Sequence, residues 1–226
     1  GSPITRDITG EEFYSTIYSV RESSIKKGVI WVGANDGPVH VTTDGGANWK
    51  NVTPNKNIKG GRVDSVEPST HNSSKAFITI LRYQLGDWKP YIYRTYDKGN
   101  SWDLVTKGIP SDHPVRVLRE DPKREGLLFA GTEFGMFISF DDGNTWNSFQ
   151  QNLPVTPITD IKIHRNDVVL STMGRSFWIM DNIDILRNFD NKNEDILYPI
   201  TNTIRYRYRP SSSNHVSYPQ NSVVID

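Results

Sequence analysis

Apolar and polar residues alternate in short runs along most of the chain, the period-two pattern of half-buried strands. The first runs are Thr16–Arg21, Val29–Gly33 and Val39–Thr43. The next are Arg62–Glu67, Ala76–Arg82 and Tyr91–Thr95, followed by Val115–Arg119, Leu127–Gly131 and Met136–Phe140. After each set of three comes a Gly/Asp-rich turn and a run led by tryptophan: Trp49–Thr53, Trp102–Thr106 and Trp146–Gln150. This predicts four strands per unit, the blade of a propeller. Ile158–His164, Val168–Thr172 and Ser176–Asp181 form a fourth unit without the turn motif, with a helical turn expected at Ile185–Phe189. Further on, Ile204–Arg209 alternates so that Arg205, Arg207 and Arg209 share one face of a strand, either a solvated face or an anion site. Pro210–Asn221 is rich in Ser, Asn and Pro and reads as a linker.

The turns are copies of one another. Thr42-Thr43-Asp44-Gly45-Gly46-Ala47-Asn48-Trp49, Thr95-Tyr96-Asp97-Lys98-Gly99-Asn100-Ser101-Trp102 and Ser139-Phe140-Asp141-Asp142-Gly143-Asn144-Thr145-Trp146 share a hydroxyl residue, then Asp, Gly and Trp at fixed offsets. Their aspartates recur at spacings of 53 and 44 residues. Periods of about 40–50 residues mark propellers and solenoids. In each copy the glycine (Gly46, Gly99, Gly143) takes a backbone conformation other residues resist. The aspartate (Asp44, Asp97, Asp141) accepts hydrogen bonds from turn amides. The tryptophan (Trp49, Trp102, Trp146) packs back on its blade. These nine residues are read as structural. The units imply blades at residues 14–54, 55–107, 108–152 and 153–190, with a lead-in at 1–13, an additional strand segment at 191–209 and a linker at 210–226 toward a following domain.

Composition narrows the partners. Twenty-six basic and 26 acidic side chains cancel, which argues against a nucleic-acid binder, since that needs excess cations. No apolar run approaches the roughly 18 residues of a membrane span. The absence of cysteine removes disulfides, thiolate nucleophiles and Cys-ligated zinc, and suits the cytosol or an exported bacterial protein. The five histidines are scattered without metal-ligand spacing. Asp/Asn-rich loops could hold calcium, but no EF-hand pattern is present, so no cofactor is expected. No nucleophile elbow, phosphate loop or dinucleotide fingerprint appears.

The three turn motifs resemble the Asp-box (bacterial neuraminidase) repeats of sialidases, sortilin and xyloglucan-degrading propellers. Gly61-Arg62-Val63, Pro90–Thr95, Val117–Pro122, Gly131–Gly135 and Gly174–Trp178 are similar to large exported bacterial proteins labelled glycosyl hydrolase or sortilin-like. The resemblance spans about residues 7–190, and Tyr218–Asp226 resembles the start of the immunoglobulin-like domain that follows the propeller there. It implies an all-β fold: a β-propeller segment of about four four-stranded blades with Asp-box turns, part of a larger exported protein (periplasmic, cell-surface or secreted). The implied partners are a protein or glycan ligand and either the remainder of a larger propeller or a second copy.

Topology then indicates where chemistry belongs. The boxes join the third and fourth strands of a blade, so they lie on the face opposite the loops joining second to third strands and one blade to the next. The second-to-third loops are Ala34–Gly37, Tyr83–Pro90, Gly131–Gly135 and Thr172–Arg175. The longest carries Tyr83, Asp87 and Trp88: an indole for a sugar's C–H face beside a carboxylate for its hydroxyls, or a tryptophan packed over the next blade. Glu133 sits in a tight glycine-flanked loop, as a general acid/base, a turn carboxylate or a partner of Arg175. Asp36 holds the corresponding loop of the first blade. Arg175 is a candidate for an anionic ligand group or an interblade ion pair, and Arg119-Glu120-Asp121 reads as a salt-bridging stretch. Sialidase chemistry needs an arginine cluster, which Arg62, Arg82, Arg119 and Arg175 could supply, though no flanking motif assigns them. Two function classes remain. One is a non-catalytic binding or scaffold module for protein, peptide or glycan. The other is a glycoside hydrolase using Glu133, Asp36 and Asp87, which requires two carboxylates facing each other at about 5 Å or 6–10 Å.

Overall fold

A computed structural model of the chain describes residues 16–54 and 60–189. Fifteen strands form four antiparallel sheets in chain order, each running sequentially from first strand to last. The first sheet is β1 (Ile17–Glu22), β2 (Ile30–Ala34), β3 (Val39–Thr42) and β4 (Lys50–Asn51). The second is β5 (Arg62–Pro68), β6 (Ala76–Leu81), β7 (Ile92–Thr95) and β8 (Asp103–Leu104). The third is β9 (Val115–Glu120), β10 (Leu128–Thr132), β11 (Gly135–Ser139) and β12 (Asn147–Ser148). The fourth is β13 (Ile158–His164), β14 (Asp167–Thr172) and β15 (Phe177–Met180). Successive sheets pack face to face, and their first strands β1, β5, β9 and β13 lie side by side. The fold is an all-β propeller segment.

Three hydrophobic cores fill the three junctions. Trp31, Val41 and Val52 pack on Val63, Val66 and Ile78 between the first two sheets. Phe77 and Ile92 meet Leu118 and Phe137 at the second junction, and Phe129 and Ile138 meet Ile161 and Leu170 at the third. Burying a side chain such as Phe129 or Leu118 is worth roughly 1.5–3 kcal/mol. Both faces of the middle sheets are covered, so β6 and β10 are buried at every position. That is why Ala76–Leu81 and Leu127–Gly131 read as near-continuous apolar runs rather than alternating ones.

Two expectations are corrected. The fourth sheet holds three strands among the described residues, not four. After β15 the chain enters α1 (Asp184–Asn188), at the helical turn expected over Ile185–Phe189. This short helix is fastened to the third sheet by Arg187, 2.8 Å from Asp121 and 2.7 Å from Asp184. The outer strands β4, β8 and β12 are also only two residues long, and the tryptophans before β8 and β12 dock on another sheet. Trp102 Nε1 donates to Val52 O at 2.7 Å and Trp146 Nε1 to Val105 O at 2.9 Å. The indole therefore packs on the preceding blade, not on its own. The lead-in 1–13, the segment 191–209 with Ile204–Arg209, and the linker 210–226 lie outside the described residues.

Candidate binding site on the loop face

Backbone hydrogen bonds sort the loops onto two faces. Gly45 N, Lys98 N and Asp142 N donate to Gly28 O, Ser74 O and Gly126 O, which joins each box to the first turn of its own sheet. On the other face Asn35 N donates to Thr16 O, Glu133 N to Pro114 O and Met173 N to Pro157 O. That second face gathers the loops where ligand chemistry was expected.

The boxes are self-contained. Asp44 Oδ1 accepts from Thr42 Oγ1 at 2.7 Å and from Asn48 N at 2.9 Å, and Gly46 N donates to Thr42 Oγ1 at 3.0 Å. Asp97 does the same with Thr95 and Ser101, and Asp141 with Ser139 and Thr145. Hydrogen bonds from Asn48 and Thr42 hold the Asp44 carboxyl down at about 2, and those from Ser101 and Thr95 do the same for Asp97. Gly99, at φ +80°, has no room for a side chain: a Cβ would lie 2.6 Å from Val52 Cβ.

A row of ionic side chains crosses the inner strands near the loop face. Each inner strand carries a register shift that turns one residue out of the alternation: Tyr18, Asp64, Arg116 and Thr159 occupy that place in β1, β5, β9 and β13. Arg62 grips both oxygens of Asp64, and Arg116 lies 3.8 Å from Asp64 Oδ2 and 2.6 Å from Glu133 Oε1. Burial raises the Asp64 pKa despite both guanidinium groups. Burial opposes the charge on Arg62, but hydrogen bonding and attraction to Asp64 outweigh it and the Arg62 pKa rises. Aromatic rings flank the row: Arg62 stands 4.4 Å over the Tyr18 ring and Arg116 5.9 Å from the Tyr83 ring. Tyr83 opens a 3₁₀ turn (Tyr83–Leu85) and packs 5.8 Å from Trp88, which stays 48% exposed. His113 lies 4.7 Å from Phe134 beside Glu133.

Deeper in, Arg119 ties three inner strands together. Its guanidinium donates to Ser65 Oγ at 2.8 Å, Asp160 Oδ1 at 2.6 Å and Ile161 O at 3.0 Å, and lies 3.4 Å from Glu67 Oε2. Burial pushes the Glu67 carboxyl up to about 7, with Arg119 and Arg21 opposing. The other charged members of the stretch are also partnered: Glu120 with Lys75 at 2.8 Å, and Asp121 with Arg187.

The structure thus brings Glu133, Tyr83 and Trp88 into one area, with Asp87 beside them, hydrogen-bonded to Arg82 at 3.0 Å and Tyr91 at 2.7 Å. Asp36 is elsewhere. It lines a groove of about 370 Å³ on the outer side of the first sheet, with Ile17, Val32, Pro38, His40 and Trp49. Glu133 is paired with Arg116, not Arg175; Arg175 stands exposed in the β14–β15 turn, where its carbonyl accepts from Trp178 Nε1 at 2.8 Å. Sequence reasoning missed Asp64 and Arg116. Arg116 sits between two valines and Asp64 between Val63 and Ser65, so each looks like the solvent-facing half of an alternating strand. Their matching offsets in the inner strands were the signal available. Among the described residues no group of three or more His, Asp or Glu side chains could hold a metal ion. No described helix is long and apolar enough to cross a membrane.

No protein-family profile and no curated protein matches the chain. Solved structures do. YCF48 bound to D1 peptide is 17% identical with a TM-score of 0.56, over 75% of this chain and 52% of that one. The GH74 enzyme of Niastella koreensis is 16% identical with a TM-score of 0.59, over 75% of this chain and 28% of that one. The GH74 xyloglucanase of Xanthomonas campestris is 12% identical with a TM-score of 0.55, over 73% and 29%. The likeness concerns the fold, and the chain spans about half or less of these structures' length.

Proposed function

We propose that the chain is a non-catalytic binding module, a segment of a larger Asp-box propeller in an exported bacterial protein, taking an extended peptide or a glycan on its loop face. The observation that carries this reading is the pairing of the loop-face carboxylates beside unspent aromatic surface. Glu133 is neutralised by Arg116 at 2.6 Å and Asp87 by Arg82 at 3.0 Å, while Trp88 remains open to solvent next to Tyr83. A glycoside hydrolase needs one protonated and one ionised carboxyl facing each other across the sugar. An exposed indole packed at a tilt beside a tyrosine suits the apolar face of a sugar or the side chain of a peptide, with the Arg62–Asp64–Arg116–Glu133 row supplying donors and acceptors. The peptide-bound YCF48 structure and the GH74 enzymes each favour one of these ligand classes.

Isothermal titration with xyloglucan oligosaccharides and with extended peptides tests the reading, alongside a reducing-sugar assay. Binding of one class is expected, weakened at least tenfold by Trp88→Ala with an unchanged circular dichroism spectrum, and no sugar is released. If neither class binds, the reading fails. Sugar release that disappears in Glu133→Gln would replace it with the hydrolase reading, in which Glu133, Asp87 and Asp36 are the candidate carboxylates.

A further inference from the structure

The three sheet junctions repeat one interface, and the first sheet carries one half of a fourth. Strand registers set up the correspondence: Val20 pairs with Val32, Val66 with Ile78 and Leu118 with Ala130, so these residues occupy the same places in the first three sheets. Ile17, Val63 and Val115 correspond in the same way on the inner strands, and Trp49, Trp102 and Trp146 are the box indoles.

In the second and third sheets these residues are covered by the preceding sheet. Val63, Val66, Val115 and Leu118 are at most 1% exposed and Trp146 is 3% exposed. In the first sheet Ile17 is 63%, Val20 59% and Trp49 46% exposed. The groove of about 370 Å³ lies between Ile17 and Trp49, walled by Val32, Pro38 and His40. The box glycine shows the same contrast. A Cβ on Gly99 would meet Val52 and one on Gly143 would meet Val105 at 3.3 Å, whereas one on Gly46 would meet nothing closer than its own Trp49 at 3.8 Å. The Asp44 turn nevertheless keeps its full set of hydrogen bonds, so Trp49 is presented in the orientation its equivalents use.

We infer that this face is the docking surface for a further four-stranded sheet of the same repeat, placed before the first. That sheet would supply a backbone carbonyl to Trp49 Nε1 and a β-branched or similar side chain against Gly46, from the residue that follows its outer strand. Val52 and Val105 are the residues that do this at the internal junctions. A single added peptide strand would cover Trp49 but not Ile17 and Val20 on the inner strand. A second copy docking by its fourth sheet would bring exposed Phe177 and Ile179, but that sheet has no outer strand among the described residues to supply the carbonyl. The inference rests on the reading of the chain as a propeller segment and names the partner of its leading face.

Hydroxyl-radical footprinting of the natural full-length polypeptide beside the 226-residue chain, with a benzophenone amino acid at position 49 for cross-linking, tests it. Labelling of Trp49 is expected to fall at least tenfold in the full-length protein, to the level of Trp146. The cross-link is expected to map to a residue just after an outer strand of a sheet that lies in the same polypeptide outside the described residues. Equal labelling in the two proteins would overturn the inference. So would concentration-dependent protection in the 226-residue chain, which would make a second copy the occupant, or a cross-link to a different polypeptide. Failure of ligand binding at Trp88 would leave the Trp49 result unchanged, so the two readings fail separately.

Discussion

Lys75 Nζ and Glu120 Oε1 lie 2.8 Å apart with both side chains buried, a charge pair across the junction of the second and third sheets. Lys75 also reaches Asp142 at 2.5 Å, so one ammonium group links the second sheet to the inner strand and box turn of the third. A buried pair costs desolvation that only its partner offsets. Glu120→Ala leaves Lys75 with Asp142 as its close partner and is expected to destabilise the fold by about 1–3 kcal/mol, the loss of a buried charge-assisted hydrogen bond. The double replacement Lys75→Met with Glu120→Leu is expected to restore most of that loss. Urea unfolding of the wild type, Glu120→Ala, the single variants Lys75→Met and Glu120→Leu, and the double variant checks it; full additivity of the two single substitutions that make up the double would show that the pair is not coupled.

Glu67 makes stability fall with rising pH. Its folded-state pKa of about 7 lies above the 4.5 of a free glutamate, so the folded protein holds the proton more tightly. The contribution is complete below pH 4.5 and is lost as pH climbs through about 7. The difference in unfolding free energy between the wild type and Glu67→Gln is expected to move against the wild type across that window, by roughly 2–4 kcal/mol. A pH-independent difference in denaturant midpoints would contradict this.

The box tryptophans and glycines are expected to differ by sheet in the 226-residue chain. Trp146→Ala empties a buried site and loses the hydrogen bond to Val105, for about 3–5 kcal/mol. Trp49→Ala, at a half-exposed site, is expected to cost under about 1.5 kcal/mol. Gly99→Ala forces a methyl into Val52 as well as a strained φ, and is expected to cost more than Gly46→Ala, which meets only the backbone penalty of about 1–2 kcal/mol. Thermal unfolding of the four variants gives the ranking.

Asp141 acts within its own turn, accepting from Ser139 Oγ at 2.8 Å and Thr145 N at 2.8 Å. Asp141→Ala is expected to lower stability by about 1–2 kcal/mol through these lost bonds. Ligand affinity on the opposite face should stay unchanged. The same titration used for Trp88→Ala measures it, and a parallel loss of binding would place the box in the ligand site.

By itself the sequence carried what is local. The strands follow from period-two patterning, and the box turns from a hydroxyl, an aspartate and a glycine whose hydrogen bonds close within seven residues, as between Thr42 and Asn48. Such geometry depends on nearest neighbours, so the repeat and the propeller architecture are legible in it. The tertiary structure decided what requires two sheets at once. Trp102 and Trp146 serve the preceding sheet rather than their own, because the nearest free carbonyls and apolar surface lie there. Glu133 meets Arg116 and not Arg175, because a register shift in β9 turns Arg116 toward the loop face while Arg175 stays in an exposed turn. Asp36 parts from Glu133 because its loop belongs to the first sheet, two sheets away, where it lines the groove with Ile17 and Trp49. Which of them share a site depends on the distance between sheets, a quantity no one-dimensional pattern encodes.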